Sequence, residues 1–286
     1  MSIRLTEETV VDSYPLDHKL DRAVASIRQC ESALIAFSGG VDSSVVAALA
    51  KLALGEAAIA VTVDNGALRD GEVEHAALIA KAIGIRHLSI TLNPLTVPEV
   101  NQNTPERCYY CKKLVFSALR DLADELRLNV VVDGSNASDL EGYRPGLKAL
   151  RELGIVSPLL SLTKNEVRSL ARRLGLSNAE APSVACLLTS FPYGTAITEQ
   201  RIERLRDAER AIKAAGIARA KVRDHNDFAR IEVNKEDAQK VVTHATAITE
   251  TFAQLGFAYV TLDLQWLRSG SMDVALNSKK ESLLRR

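Results

Sequence analysis

The residues best suited to chemistry form one short loop, Ser38-Gly-Gly-Val-Asp-Ser-Ser44. An apolar run, residues 33–37, precedes the loop, and a helix-like run, residues 45–51, follows it. Adjacent glycines let backbone N–H groups approach an anion closely, and the N-terminus of the following helix adds partial positive charge. The sequence therefore predicts phosphate binding, with Mg²⁺ held at Asp42. The predicted binding residues are Ser38, Gly39, Gly40, Val41, Asp42, Ser43 and Ser44.

This loop differs from the two common nucleotide-binding loops. It lacks the GxxxxGK[ST] pattern, so no lysine of that motif reaches a γ-phosphate, and it also lacks GxGxxG. It resembles instead the PP-loop of the ATP pyrophosphatases, which cleave ATP between its α- and β-phosphates and transfer AMP to a substrate. The resemblance implies that ATP is the cofactor and that the loop holds pyrophosphate. The structural alternative is an N-capped helix after a chance glycine turn.

Three cysteines form a second candidate set. Cys108-Tyr-Tyr-Cys111 opens a predicted helix, where the helix dipole is expected to lower the thiol pKa. Cys186 lies in a connector rich in Ser and Pro, and Cys30 is interpreted as structural. The residues alone leave several possibilities open. These are half of a zinc site, a redox pair, three ligands of a [4Fe–4S] cluster, a single nucleophilic Cys186, or unconnected thiols.

Alternating apolar strands and amphipathic helices position these residues. Strands are predicted at 33–37, 57–63, 87–92 and 129–133, and helices at 17–30, 72–83, 111–126 and 163–175. The pattern indicates an α/β fold with a Rossmann-like, doubly wound parallel sheet. Ligands bind at the carboxyl ends of such strands, where Ser38, Asp64 and Gly134 lie. Asp64 and Gly134 are therefore predicted to contact the nucleotide, although a plain turn would explain either residue.

The later part of the chain predicts a smaller α+β domain, with a boundary that gives domains of 1–188 and 189–286. Its helices are predicted at 198–215 and 235–255, and its strands at 220–223, 228–233 and 258–264. Arginine binds phosphate or carboxylate bidentately, so this domain is expected to bind the substrate. The candidates are Arg201, Arg204, Arg223, Arg230, Glu232 and Ser269. Surface ion pairs or a solvated helix face are the alternatives.

The overall composition excludes several functional classes. The 286 residues contain 36 Lys+Arg and 36 Asp+Glu, and this zero net charge argues against a nucleic-acid partner. No apolar run approaches the ~20 residues that span a membrane, and the N-terminal residues do not resemble a signal peptide. We therefore expect a cytoplasmic protein with no membrane partner, whose cysteines are not a disulfide framework.

Further motifs resemble those of the LarE family and follow in matching order over about residues 17–276. They include Arg107-Cys-Tyr-Tyr-Cys-Lys112, Asp133-Gly-Ser-Asn-Ala-Ser-Asp139, Tyr143-Arg-Pro-Gly-Leu-Lys148, Ala181-Pro-Ser-Val-Ala-Cys186, Pro192-Tyr-Gly-Thr195, Val222-Arg-Asp-His225, Ala229-Arg-Ile-Glu232 and Arg268-Ser-Gly-Ser-Met272. The resemblance implies an ATP-dependent sulfur transferase that serves the nickel-pincer nucleotide cofactor of lactate racemase-type enzymes. Such an enzyme adenylates a carboxylate of pyridinium biscarboxylic acid mononucleotide and converts it to a thiocarboxylate.

The sulfur source divides the LarE family. One branch sacrifices a single cysteine, which matches Cys186, and another uses three cysteines that hold a [4Fe–4S] cluster. This chain has cysteines at all three matching positions, Cys108, Cys111 and Cys186, which favours the cluster branch. One departure falls near the site, because Ser190 stands where family members commonly have arginine. The resemblance also implies a homo-oligomer and partners that supply sulfide or complete the cofactor.

Other functions remain open at this point. The same activation chemistry would suit a tRNA thiolation enzyme, although zero net charge counts against it. A PP-loop amidotransferase or synthetase would leave the cysteines idle. A nucleotide-binding module without catalysis is the remaining alternative.

Overall fold

The computed structural model describes residues 15–140, 144–268 and 270–274, which belong to two compact units. The first unit contains Met1–Val63, Val73–Ile90 and Phe116–Ser183, and the second contains Asp64–Glu72, Thr91–Val115 and Val184–Arg286. The second unit therefore includes two whole segments, and also residues 184–188, that precede the predicted boundary after residue 188. That boundary stays a prediction.

The helices and strands alternate along the first part of the chain, as the sequence predicts. The helices are α1 (Leu16–Arg28), α2 (Val41–Leu54), α3 (Glu72–Ile83), α4 (Pro98–Asn101), α5 (Arg107–Glu125), α6 (Gly146–Glu152), α7 (Lys164–Arg173), α8 (Glu199–Ala214), α9 (Ala238–Thr243) and α10 (Ala245–Gln254). The strands are β1 (Ala33–Ala36), β2 (Ala58–Asp64), β3 (Arg86–Thr91), β4 (Val130–Val132), β5 (Ala220–His225), β6 (Phe228–Val233) and β7 (Tyr259–Leu262).

The larger sheet has the strand order β3-β2-β1-β4. The central strand β1 runs parallel to both neighbours, with Ala33 in register with Ala58 on one side and Val130 on the other. Its apolar residues are buried or nearly so, as expected for a strand covered on both faces. The predicted α/β fold with a Rossmann-like parallel sheet is confirmed.

Helix α2 is the central helix of the first unit. It packs against α1, α7 and β1, and its Val, Ala and Leu side chains are buried over most of its length. The N-terminus of α7 is fixed by a capping box, in which Thr163 and Glu166 satisfy each other's backbone N–H groups. The hydrophobic core thus holds the helix whose N-terminus meets the loop of residues 38–44.

The second unit contains a three-stranded sheet in the order β5-β6-β7, with β5 antiparallel and β7 parallel to β6. Helix α8 packs against β5, and α10 packs against α8 and β7. Helix α8 has one apolar side that faces the core, where Ile202, Leu205, Ala208 and Ile212 are buried. This unit matches the predicted small α+β architecture.

The prediction of one continuous helix at 235–255 is wrong. Residues 235–255 form a 3-10 turn, Lys235–Asp237, followed by α9 and α10 with a break at His244. The β-branched run Val241-Val242-Thr243 before the break has low helix propensity because its side chains lose rotamer freedom in a helix. None of the described helices has the length and apolar character that crossing a bilayer requires.

Candidate functional site

The loop between β1 and α2 is built for close backbone approach. Gly39 has a φ of 71°, and a Cβ there would lie 2.8 Å from the Cα of Ala76 on α3, so the position requires glycine. Gly40 is the N-cap of α2 and has no side chain to cap the first N–H groups of that helix, which add partial positive charge beside the loop. The Ser43 hydroxyl accepts from the Ser38 N–H at 3.2 Å and donates to the Gly40 carbonyl at 3.1 Å. These bonds preform the loop.

The turn after β4 meets the N-terminus of α2. A Cβ at Gly134 would lie 2.9 Å from the Ser43 nitrogen and 3.0 Å from the carbonyl carbon of Asp42. The missing side chain is therefore what lets the two segments touch. The structure brings Gly134 to the loop, and its contact with a nucleotide stays a prediction.

Asp42 has two polar partners in the first unit. Its Oδ1 accepts from Asn136 Nδ2 at 3.2 Å, and its Oδ2 accepts from the ammonium group of Lys164. Its side chain is 28% exposed, so a ligand can reach the carboxylate. Mg²⁺ is commonly held by one or two carboxylates together with substrate phosphates, and a carboxylate beside an anion-binding helix N-terminus fits that pattern. A bound cation would compete with Lys164 for Asp42.

Two residues that support the loop were missed from the sequence. The buried Asn178 donates through its amide nitrogen to the Gly39 carbonyl at 2.8 Å and to Ser44 Oγ at 2.9 Å. Lys164 begins α7 and reaches Asp42 from a segment 122 residues away. A lysine just after a capping-box threonine was a signal for Lys164, but the connector around Asn178 contained none.

Asp64 ends β2 and begins the first segment of the second unit. Its Oδ1 accepts a hydrogen bond from the Gly66 N–H at 3.0 Å, and this bond of the aspartate side chain stabilises the turn. Asn65 makes the same kind of bond to the Ala67 N–H at 3.1 Å. These bonds explain the turn, and the predicted nucleotide contact of Asp64 is a separate property that stays a prediction.

The three cysteines of interest are neighbours within the second unit. Cys108 and Cys111 lie in the first turn of α5, and Cys186 precedes the 3-10 turn Leu187–Ser190. Burial raises the pKa of Cys111 to about 12, and the nearby thiols of Cys186 and Cys108 add to this rise. Burial also raises the pKa of Cys186. The expected lowering by the helix dipole is therefore wrong for Cys111, because desolvation outweighs it.

The chemistry of these thiols fits an iron–sulfur cluster, which is bound by cysteine sulfur. All four cysteines are free thiols, and Cys30 donates to the Ser26 carbonyl at the end of α1. Within the part of the chain that the structure describes, no group of three His, Cys, Asp or Glu side chains has metal-site geometry. The three thiols are thus close to one another without being arranged as a finished ligand set.

Two residues tie the cysteine segments together. Arg107 donates to the Leu188 carbonyl at 2.9 Å, to the Asn103 side chain, and to Cys108 Sγ at 3.6 Å. Asn103 donates to the carbonyls of Phe191 at 3.2 Å and Pro192 at 2.7 Å. The start of α5 and the segment after Cys186 are thereby held in one arrangement.

A cluster of charges lies on one face of the smaller sheet. Glu232 accepts from Arg223 at 2.8 Å, from Arg230 at 3.1 Å and from Ser271 at 2.6 Å. Burial would raise the pKa of Glu232, but these partners outweigh it and the pKa is lowered. The Nε atoms of Arg223 and Arg230 are buried and have no hydrogen-bond partner among the described residues. The structure brings three predicted substrate residues together, while Ser269 lies outside the described residues.

Arg201 and Arg204 of α8 hold a different carboxylate. Both donate to Asp224, which is fully buried, and the Arg201 bond measures 2.6 Å. The Arg204 guanidinium also stacks 4.2 Å from the centroid of the Phe257 ring. Most donors of the two guanidinium groups are therefore already bonded within the second unit. The predicted contact of Arg201 and Arg204 with substrate stays a prediction.

The chain is similar to known proteins over most of its length. Residues 16–185 match the family model described as NAD synthase. A pyridinium-3,5-bisthiocarboxylic acid mononucleotide synthase of Lactiplantibacillus plantarum is 36% identical over 256 residues, which cover 88% of this chain and 93% of that protein. The chain belongs to the LarE family of PP-loop proteins.

LarE membership agrees with two further matches. An uncharacterized protein of Synechocystis sp. is 38% identical over 91% of this chain and 99% of its own length. A glutamine-hydrolyzing GMP synthase component of Methanocaldococcus jannaschii is 33% identical over 56% of each chain. The predicted PP-loop superfamily is confirmed, and homology within the LarE family indicates an enzyme that uses ATP.

The residue that departs from the LarE pattern has an unusual environment. Ser190 is 1% exposed at the end of the 3-10 turn after Cys186. Its Oγ has no hydrogen-bond partner among the described residues. A buried hydroxyl of this kind does not reproduce the charge of the arginine that the resemblance led us to expect at this position.

Proposed function

We propose that this chain is an ATP-dependent sulfur transferase that converts a carboxylate of pyridinium-3,5-biscarboxylic acid mononucleotide into a thiocarboxylate. The observation that carries the proposal is the presence, in one LarE-family chain, of a preformed anion loop and three neighbouring thiols. The relative from Lactiplantibacillus plantarum bears the name of a synthase for the bisthiocarboxylic product. Two rounds of the reaction would give that product.

Activation is proposed to occur at the PP-loop. A carboxylate is a poor electrophile because oxide is a poor leaving group. In the proposed step a carboxylate oxygen attacks the α-phosphorus of ATP, the bond to the β-phosphate breaks, and pyrophosphate leaves with that bond's electrons. The N–H groups at the start of α2, together with Mg²⁺ held by Asp42, would stabilise the charge developing on pyrophosphate.

Sulfur delivery is proposed to occur at Cys108, Cys111 and Cys186. A [4Fe–4S] cluster bound by three thiolates would leave one iron free to carry the sulfide that replaces AMP. The donor chemistry supports this ligand set, and so does the placement of all three free thiols within the second unit. A separate protein is proposed to renew the sulfide, and the nickel-pincer nucleotide is the proposed end product.

Substrate recognition is proposed at the charge cluster of the second unit. Arg223 and Arg230 present guanidinium groups on the smaller sheet. The Arg223 Nε has no hydrogen-bond partner among the described residues, whereas the Arg230 Nε lies 3.5 Å from Asp263 Oδ2. A mononucleotide with two carboxylates offers phosphate and carboxylate oxygens that suit such donors. Glu232 would keep the two arginines oriented in the absence of substrate.

Amide formation is a second candidate, because the NAD synthase model matches residues 16–185, which include the PP-loop, and a GMP synthase component is also similar to the chain. In that function ammonia would attack the adenylate and the cysteines would have no role. A triple variant in which Cys108, Cys111 and Cys186 become serine separates the two. It should keep an amide-forming activity and abolish a sulfur-transferring one.

The direct test is anaerobic turnover with ATP, Mg²⁺ and the biscarboxylate mononucleotide, with products identified by mass spectrometry. We expect a thiocarboxylate together with AMP and pyrophosphate. Cys186→Ser should keep ATP–pyrophosphate exchange and lose the thiocarboxylate, whereas Asp42→Asn should lose both. An amide product, or thiolation of tRNA instead of the mononucleotide, would contradict the proposal.

A further inference from the structure

A chain of hydrogen bonds crosses the larger sheet and leads into the PP-loop. Phe37 follows β1, Thr62 lies in β2 and His87 lies in β3, and these three strands are neighbours in the sheet. Thr62 Oγ1 donates to the Phe37 carbonyl at 2.8 Å, and the same oxygen lies 2.8 Å from His87 Nε2. Thr62 and Phe37 are both buried, so the partners of these polar groups come from the protein itself.

The single hydroxyl proton of Thr62 fixes the direction of this chain. Because that proton is donated to the Phe37 carbonyl, Thr62 Oγ1 accepts from His87. Neutral histidine has one ring N–H, so a neutral His87 donates only if its hydrogen is on Nε2. The His87 ring also packs edge-on against the Phe37 ring, with the centroids 5.8 Å apart, and this contact favours the ring orientation that the bond requires.

The chain continues through the peptide group that joins Phe37 to Ser38. The N–H of this group belongs to Ser38 and donates to Ser43 Oγ at 3.2 Å, and Ser43 Oγ donates to the Gly40 carbonyl at 3.1 Å. Every bond from His87 to Gly40 therefore points in the same direction. Hydrogen bonds arranged in this way polarise and strengthen one another.

The peptide group after Phe37 is where the strand gives way to the loop. The Phe37 N–H donates to the Val61 carbonyl of β2 at 2.9 Å, and the Phe37 carbonyl accepts from the Thr62 side chain of the same strand. Strand β2 thus holds both backbone polar groups of Phe37. The plane of the next peptide group, from which the PP-loop starts, is fixed as a result.

We propose that His87, acting through Thr62, is a positioning residue of the PP-loop and carries its ring hydrogen on Nε2. The inference rests on the part of the proposed function that makes the PP-loop the ATP site, and it holds whether the product is a thiocarboxylate or an amide. Burial keeps the pKa of His87 below its ordinary value, which agrees with a neutral ring. The two side chains act on the backbone of the loop and need no contact with the nucleotide.

Two pairs of variants separate the hydrogen bonds from packing. Thr62→Val keeps the branched shape of the side chain and removes the hydroxyl, whereas Thr62→Ser keeps the hydroxyl. His87→Leu removes the donor, and His87→Gln supplies an amide donor in its place. Thr261→Val is the matched control, because Thr261 of β7 donates to the Ala229 carbonyl at 3.2 Å in the smaller sheet.

The first measurement is the Kd for ATP with Mg²⁺, obtained by isothermal titration, with thermal unfolding of each variant alongside. We expect Thr62→Val and His87→Leu to raise the Kd by about tenfold, equivalent to about 1.4 kcal/mol, since each removes one bond of the chain. Thr62→Ser and His87→Gln should bind ATP nearly as wild type does, even where they lower the unfolding temperature. Thr261→Val should lower the unfolding temperature and leave the Kd unchanged.

The second measurement is the tautomer of His87 at about pH 7.5, above the ordinary histidine pKa, from proton–nitrogen correlation spectra of protein with isotope-labelled histidine. The chain has five histidines, and the signals that disappear in His87→Gln identify the residue. We expect the hydrogen on Nε2. Because this spectrum is recorded on the wild-type protein, it remains decisive if Thr62→Val does not fold.

Hydrogen on Nδ1 of His87 would overturn the inference, because Thr62 would then donate to the ring instead of to the Phe37 carbonyl. A wild-type Kd in Thr62→Val, or an equal rise of the Kd in Thr261→Val, would overturn it as well. Neither measurement needs turnover. Both expected results without thiocarboxylate formation would therefore retain the positioning role and reject the sulfur transfer, whereas a wild-type protein that binds no ATP would reject both.

Discussion

At Asp42, a single carboxylate meets Asn136, Lys164 and, in the proposed reaction, Mg²⁺. Replacing it with asparagine keeps the size and one acceptor oxygen but removes the charge that binds a cation. We expect Asp42→Asn to lower ATP–pyrophosphate exchange by about 10² or more, as loss of a charge-stabilising group does. Asp70→Asn, which alters an exposed ion pair with Arg210, is the matched control and should retain exchange. Full exchange by Asp42→Asn would reject the metal role.

Gly134 gives a steric test of the same site. An added methyl group would lie 2.9 Å from the Ser43 nitrogen, so backbone must move at a cost of roughly 1–3 kcal/mol. We expect Gly134→Ala to raise the KM for ATP and to lower the unfolding free energy. Gly84→Ala is the control, since its positive φ of 76° brings strain but no atom lies within 4 Å of the new Cβ. If both variants raise the KM equally, the close approach at Gly134 is unimportant.

Single residues also mark the limit of what the sequence predicts about the site. The PP-loop could be found because its residues are consecutive, and the three cysteines because thiols are rare in the chain. Asn178 could not, because its partners lie more than 100 positions away, and the helix cap before Lys164 marked a helix start without showing that Lys164 reaches Asp42. Arg107 was visible only as part of a motif, and its buried bonds to Asn103 and the Leu188 carbonyl form only in the folded chain.

At the scale of elements, the N-terminus of α7 supports the site because Lys164 is its first residue. Thr163→Ala removes the cap and should destabilise the protein by about 1 kcal/mol. It should also weaken ATP binding, because Lys164 then loses its fixed starting point. Thr198→Ala removes the equivalent cap of α8, where Thr198 accepts from the Arg201 N–H, and should cost similar stability with unchanged ATP affinity. Isothermal titration and urea unfolding measure the two quantities, and equal ATP affinities would contradict the link.

The sequence predicted best those helices and strands in which apolar residues recur at a regular spacing. The bounds predicted for α3, residues 72–83, are those of the structure, and the strand predicted at 228–233 is β6. The helix predicted from 235 to 255 is broken at His244, where a β-branched run weakens the helix. The helix dipole argument failed at Cys111, since burial depends on tertiary neighbours that the local sequence does not contain.

At the scale of the whole molecule, two half-buried histidines link stability to pH. Burial lowers the pKa of His87 in the first unit and of His225 in the second, where Arg230 adds to the effect. Both residues are therefore neutral in the fold and bind protons more readily when unfolded, at an ordinary pKa of about 6.5. The part of the stability that depends on these neutral histidines should be fully present above that pH, and it should fall as the pH drops below it.

Urea unfolding at about pH 7.5 and at a pH about one unit below 6.5 tests this linkage. His87→Gln and His225→Gln should each reduce the loss of stability on acidification. His75→Gln, at an exposed position of α3, should leave it unchanged. A loss of stability that none of the variants alters would assign the acid response to other groups, such as the carboxylates of Glu166 and Glu232, whose lowered pKa values act at lower pH.

The sulfur source decides how the whole molecule works, because a catalyst returns to its starting state and a sacrificial protein does not. The most direct measurement is the intact mass of the protein, and of its Cys186 peptide, before and after anaerobic turnover with supplied sulfide. The account predicts several thiocarboxylates per chain, about four irons bound, and an unchanged Cys186. Loss of one sulfur from Cys186 for each thiocarboxylate formed, in a protein without iron, would contradict it.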